Sequence, residues 1–235
     1  MTGLDPVGLA LWLVAFLVSA TCHEAGHAFA AKLGGDATAY RAGQVTLNPV
    51  PHIRREPFGM VVIPLLSYAF SGFMIGWASA PYDPLWADRH PKRAGLMAAA
   101  GPAANLILAL IALAGIRLLV QVGLGTAPDQ ASFERLVQIT SGSSMLAAFG
   151  RFLSILAMLN AMLLVFNLMP VPPLDGASIV ERLGGQTAAR GMAMFRAMPM
   201  AGFVGILIAW QLFGYIAPLI FSGVLSLAHP GAVYH

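Results

Sequence analysis

Two histidines and a glutamate, in the run His23-Glu24-Ala25-Gly26-His27, are the residues whose types and spacing can do chemistry. Four positions separate the histidines, so on an α-helix they share one face, one turn apart. At that spacing two imidazole nitrogens can bind one tetrahedral Zn²⁺. Glu24 lies beside that face. In an H-E-x-x-H arrangement the glutamate stays off the metal; it takes a proton from the water that the metal acidifies and later delivers it to a leaving amine. The chemistry implied is hydrolysis of a peptide bond.

The cluster ends an apolar run, LALWLVAFLVSA, in which ionisable groups are costly unless paired or functional. That cost weighs against the bland readings, a pair of polar residues tying helices together or a helix end already in water. The whole chain has the same character. Its 235 residues are 58% hydrophobic and 10% charged, with a mean hydropathy of +0.75, which marks an integral membrane protein. The net charge is only +3 and the basic residues are scattered between apolar runs, so no nucleic-acid footprint is present and no nucleic-acid partner is expected. One cysteine, Cys22, excludes an intramolecular disulfide and a cysteine metal cage; any metal must be held by histidine and carboxylate. No basic residue precedes the first apolar run, which argues against a cleaved signal peptide.

A bilayer core of about 30 Å takes roughly 20 helical residues to cross. Five stretches approach that length: residues 7–33, 58–80, 95–122, 145–169 and 201–228. The second carries Pro64 and three glycines and is expected to be kinked or partly re-entrant. The alternation from Tyr40 to Leu47 predicts a short strand or hairpin near residues 40–50. The expected fold is therefore an all-α polytopic membrane protein with about five transmembrane helices, built as a single domain over residues 1–235. Five spans divide the basic residues seven to six between the two sides, and only the four in the first loop favour a cytoplasmic placement for that loop. His229 and His235 are expected in a solvated tail, and Met192, Met194, Met198 and Met200 as packing or interfacial residues.

Catalytic zinc usually keeps three protein ligands and one open position. Asp175 is a candidate for the third, because it follows NLMPVPPL, where three prolines within four residues preclude a regular helix and let the backbone turn a side chain inward. An ordinary helix N-cap explains its position equally well. Asp36 and His52, in the loop after the first helix, are competing ligands.

Four motifs in order, HEAGH at 23–27, NPVPH at 48–52, GPAAN at 101–105 and NLMPVPPLDG at 167–176, resemble the site-2 protease family of intramembrane zinc metalloproteases. The resemblance covers roughly residues 10–185; the apolar span 201–228 lies beyond it, and the chain resembles a compact form without PDZ or CBS domains. It implies a zinc metalloendopeptidase that cuts transmembrane proteins in the cell membrane, with one Zn²⁺ per chain. It implies His23, His27 and Asp175 as ligands and Glu24 as the general base. Asn105 and Asn167 would bind substrate or the oxyanion, and His52 would act behind the ligands or as a gate. By similarity, a locally unwound substrate would add as a strand to the edge near residues 40–47. Two other classes compete: a catalytically silent scaffold of the same fold, and a metal transporter. The transporter is disfavoured by a general base for which it has no use and by the lack of an inverted pair of broken apolar segments.

Overall fold

The computed structural model describes residues 5–231; residues 1–4 and 232–235, His235 among them, lie outside the description. Four helices are long and apolar enough to cross a membrane: α1 (Pro6–Gly34), α6 (Pro91–Gln121), α7 (Ser144–Asn167) and α10 (Ala201–Ala228). Between them lie the short helices α2 (Thr38–Arg41), α3 (Pro49–Arg55), α4 (Ile63–Ser71), α5 (Pro84–Arg89), α8 (Asp175–Leu183) and α9 (Gly185–Arg196). A π-helical turn, Phe58–Val62, leads into α4.

Local chemistry sets the ends of the first span. The Asp5 carboxylate accepts from the Gly8 amide at 3.0 Å ahead of Pro6, and Gly35, at φ 99°, closes the C-terminus with its N–H on the Ala31 and Lys32 carbonyls. Helices α1, α6 and α7 pack together around one apolar core that includes Trp12, Phe16, Ile116, Ile155 and Met158. At one end of this bundle the Arg151 guanidinium bridges Asp5 and Glu134, and Trp12 Nε1 donates to Glu134 Oε1 at 2.6 Å. There a two-stranded antiparallel ribbon, β1 (Gly125–Thr126) with β2 (Gln138–Ile139), joins α6 to α7, pairing Gly125 with Ile139. His229 is buried beside it, its ring nitrogen Nε2 donating to the Leu136 carbonyl at 2.5 Å, so this residue is not in a solvated tail.

The all-α membrane class holds, with four helices of spanning length where the sequence predicts about five. Residues 58–80 do not form a spanning helix: the helical part stops at Ser71, where Gly72 turns the chain at φ 77°. The Tyr68 hydroxyl reaches the Asp5 carbonyl at 3.5 Å, so α4 runs to the level at which α1 begins. Residues 73–83 then return in an extended path to the far end of α1, where the Asp83 amide donates to Asp36 Oδ2 at 2.8 Å. The segment enters and leaves on one side. The alternation at residues 40–47 does not make a strand either, because its polar groups are committed to turns. Gln44 Nε2 donates to the Pro51 carbonyl, His52 Nε2 to the Thr46 carbonyl, and Lys32 sits 3.6 Å over the Tyr40 ring.

Asp36 is buried, and both its oxygens are taken by Thr38 N, Thr38 Oγ1 and Asp83 N. Burial alone raises its pKa, but these hydrogen bonds outweigh it and hold the carboxyl below the usual aspartate value. A carboxylate with a depressed folded pKa contributes stability above its unfolded pKa of about 3.9 and loses it as pH falls through the folded value. The expected outcome for Asp36→Asn is a lower melting temperature at neutral pH, with the gap to the native protein closing below about pH 4. A gap unchanged down to pH 3 would count against this role.

Candidate metal centre

His27 and His23 project from α1 about 10 Å and about 16 Å inside its Gly34 end, at a rise of about 1.5 Å per residue. Opposite them, Gly101 brings the α6 backbone against both rings: a Cβ there would lie 2.3 Å from His27 Nε2 and 2.6 Å from His23 Nε2. A similar approach holds at Gly26, whose Cβ would meet the Ala100 carbonyl at 2.8 Å.

Asp175 arrives from the loop after α7. Proline breaks the helix at Pro170, Pro172 and Pro173, and α10 clamps the loop, with Gly205 so close that a Cβ would fall 1.7 Å from the Pro172 carbonyl. Gly176 then lets the chain fold over the Leu168 and Met169 carbonyls, which would lie 2.2 and 2.4 Å from a Cβ. Asp175 is the first residue of α8, but Leu174 holds the N-cap position and no side chain caps the helix. The aspartate faces the histidines instead: Oδ2 lies 3.1 Å from His23 Nε2 and Oδ1 lies 3.3 Å from His27 Nε2.

The outer nitrogens reveal what the inner ones carry. His27 Nδ1 lies 2.8 Å from the Met97 carbonyl, which can only accept, so Nδ1 holds the proton. His23 Nδ1 lies 2.6 Å from Asn105 Oδ1 and is a donor for the same reason. In neutral rings both Nε2 atoms are then bare electron pairs; they lie 3.0 Å apart and face a carboxylate whose buried Oδ2 has no hydrogen-bond partner among the described residues. Three lone-pair donors repel one another unless a cation sits among them. A tetrahedral zinc with bonds of about 2.0–2.1 Å places its ligand atoms about 3.3 Å apart, close to the spacing seen here. His23, His27 and Asp175 are the one such metal-capable group among the described residues.

The other sequence candidates lie elsewhere. Asp36 is spent on the loop contacts above. His52, 1% exposed, pins the loop through Thr46 and is absent from the cluster. Asn105 is completely buried, its Oδ1 on His23 and its Nδ2 donating to Asn160 Oδ1 at 2.8 Å, so it holds the imidazole. Asn167, at the end of α7, is partly exposed; its Nδ2 donates to the Leu163 carbonyl and its Oδ1 has no partner among the described residues. Glu24 is 5% exposed and forms no hydrogen bond or salt bridge among them. An apolar cavity of about 380 Å³ against Cys22, Gly26 and Phe29 lies on the stripe of α1 turned roughly 150° from Glu24, at about 100° per residue, and plays no part in this geometry.

Residues 11–212 match the family model described as Peptidase family M50. The chain belongs to that family. It is the site-2 protease family that the motifs resemble, and the match runs into α10, beyond the residue 185 expected from the motifs alone. Two relatives carry the name "Putative zinc metalloprotease". YwhC of Bacillus subtilis is 39% identical over 188 residues, covering 76% of this chain and 71% of its own. Rip2 of Mycolicibacterium smegmatis is 32% identical over 179 residues, covering 76% of this chain and 59% of its own, so the match spans about three fifths of Rip2. No solved structure matches the chain.

The family's glycine-proline motif thus has a steric reason here. Gly101→Ala should weaken metal binding by more than about 100-fold, beyond the usual cost of losing one outer hydrogen-bond partner, because the new methyl group occupies the space between the ligand atoms. Helicity should not suffer, since alanine is favoured over glycine in a helix by about 1 kcal/mol. Undiminished zinc binding in a folded Gly101→Ala protein would refute the placement.

Proposed function

We propose that this chain is an intramembrane zinc endopeptidase that hydrolyses peptide bonds within or next to the transmembrane segments of other membrane proteins. The observation that carries the reading is the convergence of three donors beside an uncommitted carboxylate, about 10–16 Å inside the end of a helix long and apolar enough to cross a membrane. His23, His27 and Asp175 would hold one Zn²⁺. Bound there, zinc supplies Lewis acidity that polarises the scissile carbonyl and acidifies water.

Glu24 is the proton carrier in this reading. Nothing within the described residues competes for its carboxylate, so it is available to take a proton from the attacking water and pass it to the leaving nitrogen. The Asn167 side-chain Oδ1, without a partner among the described residues, is an acceptor for a substrate N–H. A helical substrate must unwind before attack, and its freed backbone needs partners inside the membrane. The returning segment supplies them in place of residues 40–47. In residues 73–82, one edge is used: Ile75 N donates to Ser67 Oγ and Trp77 N to the Gly59 carbonyl. On the other edge the N–H and C=O groups of Met74, Gly76, Ala78 and Ala80 have no partner among the described residues, and an added substrate strand would satisfy them.

The four candidate spans support one orientation. Loop 35–90 and residues 168–200 share a side. Ten of the thirteen Lys and Arg residues fall there, seven between Lys32 and Arg93 and three between Arg182 and Arg196. The basic excess favours a cytoplasmic placement of that side in the cell membrane, with the metal centre nearer to it.

Purified Glu24→Gln protein in proteoliposomes with a panel of single-span substrates tests the reading. Zinc should stay near one per chain while cleavage falls by about 10²–10⁴-fold, the usual worth of a general base. Cleavage at the native rate would contradict it, and zinc without cleavage in either protein would favour the silent scaffold. Ala78→Pro and Ala80→Pro should cut turnover with zinc retained; unchanged turnover would remove the edge-strand role.

A further inference from the structure

Three spanning helices meet behind His23 through a chain of fully buried polar side chains: Ser19 on α1, Asn105 on α6 and Asn160 on α7. Its hydrogen bonds have a fixed direction. The Ser19 hydroxyl donates to the Ala15 carbonyl at 2.6 Å, so its oxygen is left to accept. Asn160 Nδ2 spends both hydrogens, one on Ser19 Oγ and one on the Leu156 carbonyl, each at 2.8 Å. The Leu156 carbonyl can only accept, so a flipped Asn160 amide would set oxygen against oxygen there and the amide cannot flip. Its Oδ1 therefore faces the Asn105 Nδ2, at 2.8 Å, and that fixes Asn105 with its oxygen toward His23 Nδ1. An oxygen there requires a proton on Nδ1 and leaves Nε2 bare.

We infer that Ser19 and Asn160 are positioning residues for the metal centre: through Asn105 they hold His23 in the tautomer and orientation that present Nε2 to a divalent cation. Two main-chain carbonyls, Ala15 and Leu156, set the sense of the whole chain, and the protonation pattern at His23 is its far end. His27 needs no such chain, because its Nδ1 meets the Met97 carbonyl directly. The cost of the arrangement explains its completeness. A buried amide or hydroxyl left without a partner costs about 1–3 kcal/mol, and every amide hydrogen of Asn160 has an acceptor. Removing Asn160 frees Asn105 to rotate, and an Nδ2 turned toward His23 Nδ1 favours the opposite tautomer, whose Nε2 proton blocks ligation.

The inference rests on the zinc reading for its purpose, but its test does not. Asn160→Leu keeps the branched shape and removes the hydrogen bonds; Met158→Ala loosens the same buried stretch of α7 at a residue outside the hydrogen-bonded chain. In detergent-solubilised, metal-free protein labelled with ¹⁵N-histidine, His23 should show a protonated Nδ1 in the native and Met158→Ala proteins and a mixture of tautomers in Asn160→Leu. In chelator competition, Asn160→Leu should bind zinc about 10–100-fold more weakly and Ser19→Ala less so, as is usual for partners behind a ligating histidine, with Met158→Ala near native. A native tautomer in Asn160→Leu, or a zinc affinity no lower than that of Met158→Ala, would overturn the positioning role. A tautomer shift in a protein that binds no zinc even in its native form would support the positioning role and refute the metal reading.

Discussion

Three electron-pair donors forced together inside a bundle of apolar helices are the constraint on which the rest of the structure depends. Two imidazole Nε2 atoms 3.0 Å apart beside a buried carboxylate repel one another, and a cation among them turns that repulsion into attraction. Each feature around the site maintains the arrangement. Helix α1 sets the spacing of the histidines, Gly101 admits the α6 backbone, and the proline loop with Gly176 delivers Asp175.

The same economy applies to polar groups in lipid. Backbone atoms at membrane depth need partners, and irregular chain is tolerated only where protein or water provides them. The helix over residues 58–71 and its extended return lie against α1, with Gly76 tight on Phe16 and Gly59 tight on Trp77. One edge of the return is paired and the other is not. The polar chain behind His23 is the opposite case: Ser19, Asn105 and Asn160 are fully buried, and both amide hydrogens of Asn160 have acceptors.

The convergence of His23, His27 and Asp175 was legible in the sequence because it rests on a short-range rule, histidines four apart on an apolar helix, and on a motif that carries Asp175. The all-α membrane class was equally plain from composition. What was not legible depends on contacts between distant segments. Pro64 and the glycines of 58–80 point to a kinked or partly re-entrant segment, but where it turns depends on Gly72 and on the pairing with Gly59. The alternation at 40–47 has strand-like periodicity, but Gln44 and His52 lock its backbone into turns. Ser19 and Asn160 are single polar residues in apolar helices, and only the packing of three helices brings them together behind Asn105. The one early signal was their polarity at membrane depth, where such residues carry a cost.

The most direct test of the account is X-ray absorption at the zinc K-edge on zinc-loaded native protein. The account predicts two imidazoles and oxygen donors at about 2.0–2.2 Å, with the Asp175 carboxylate among them. A third imidazole, or sulfur at about 2.3 Å, would contradict it, because His52 or Cys22 would then have to reach a centre from which this structure excludes them.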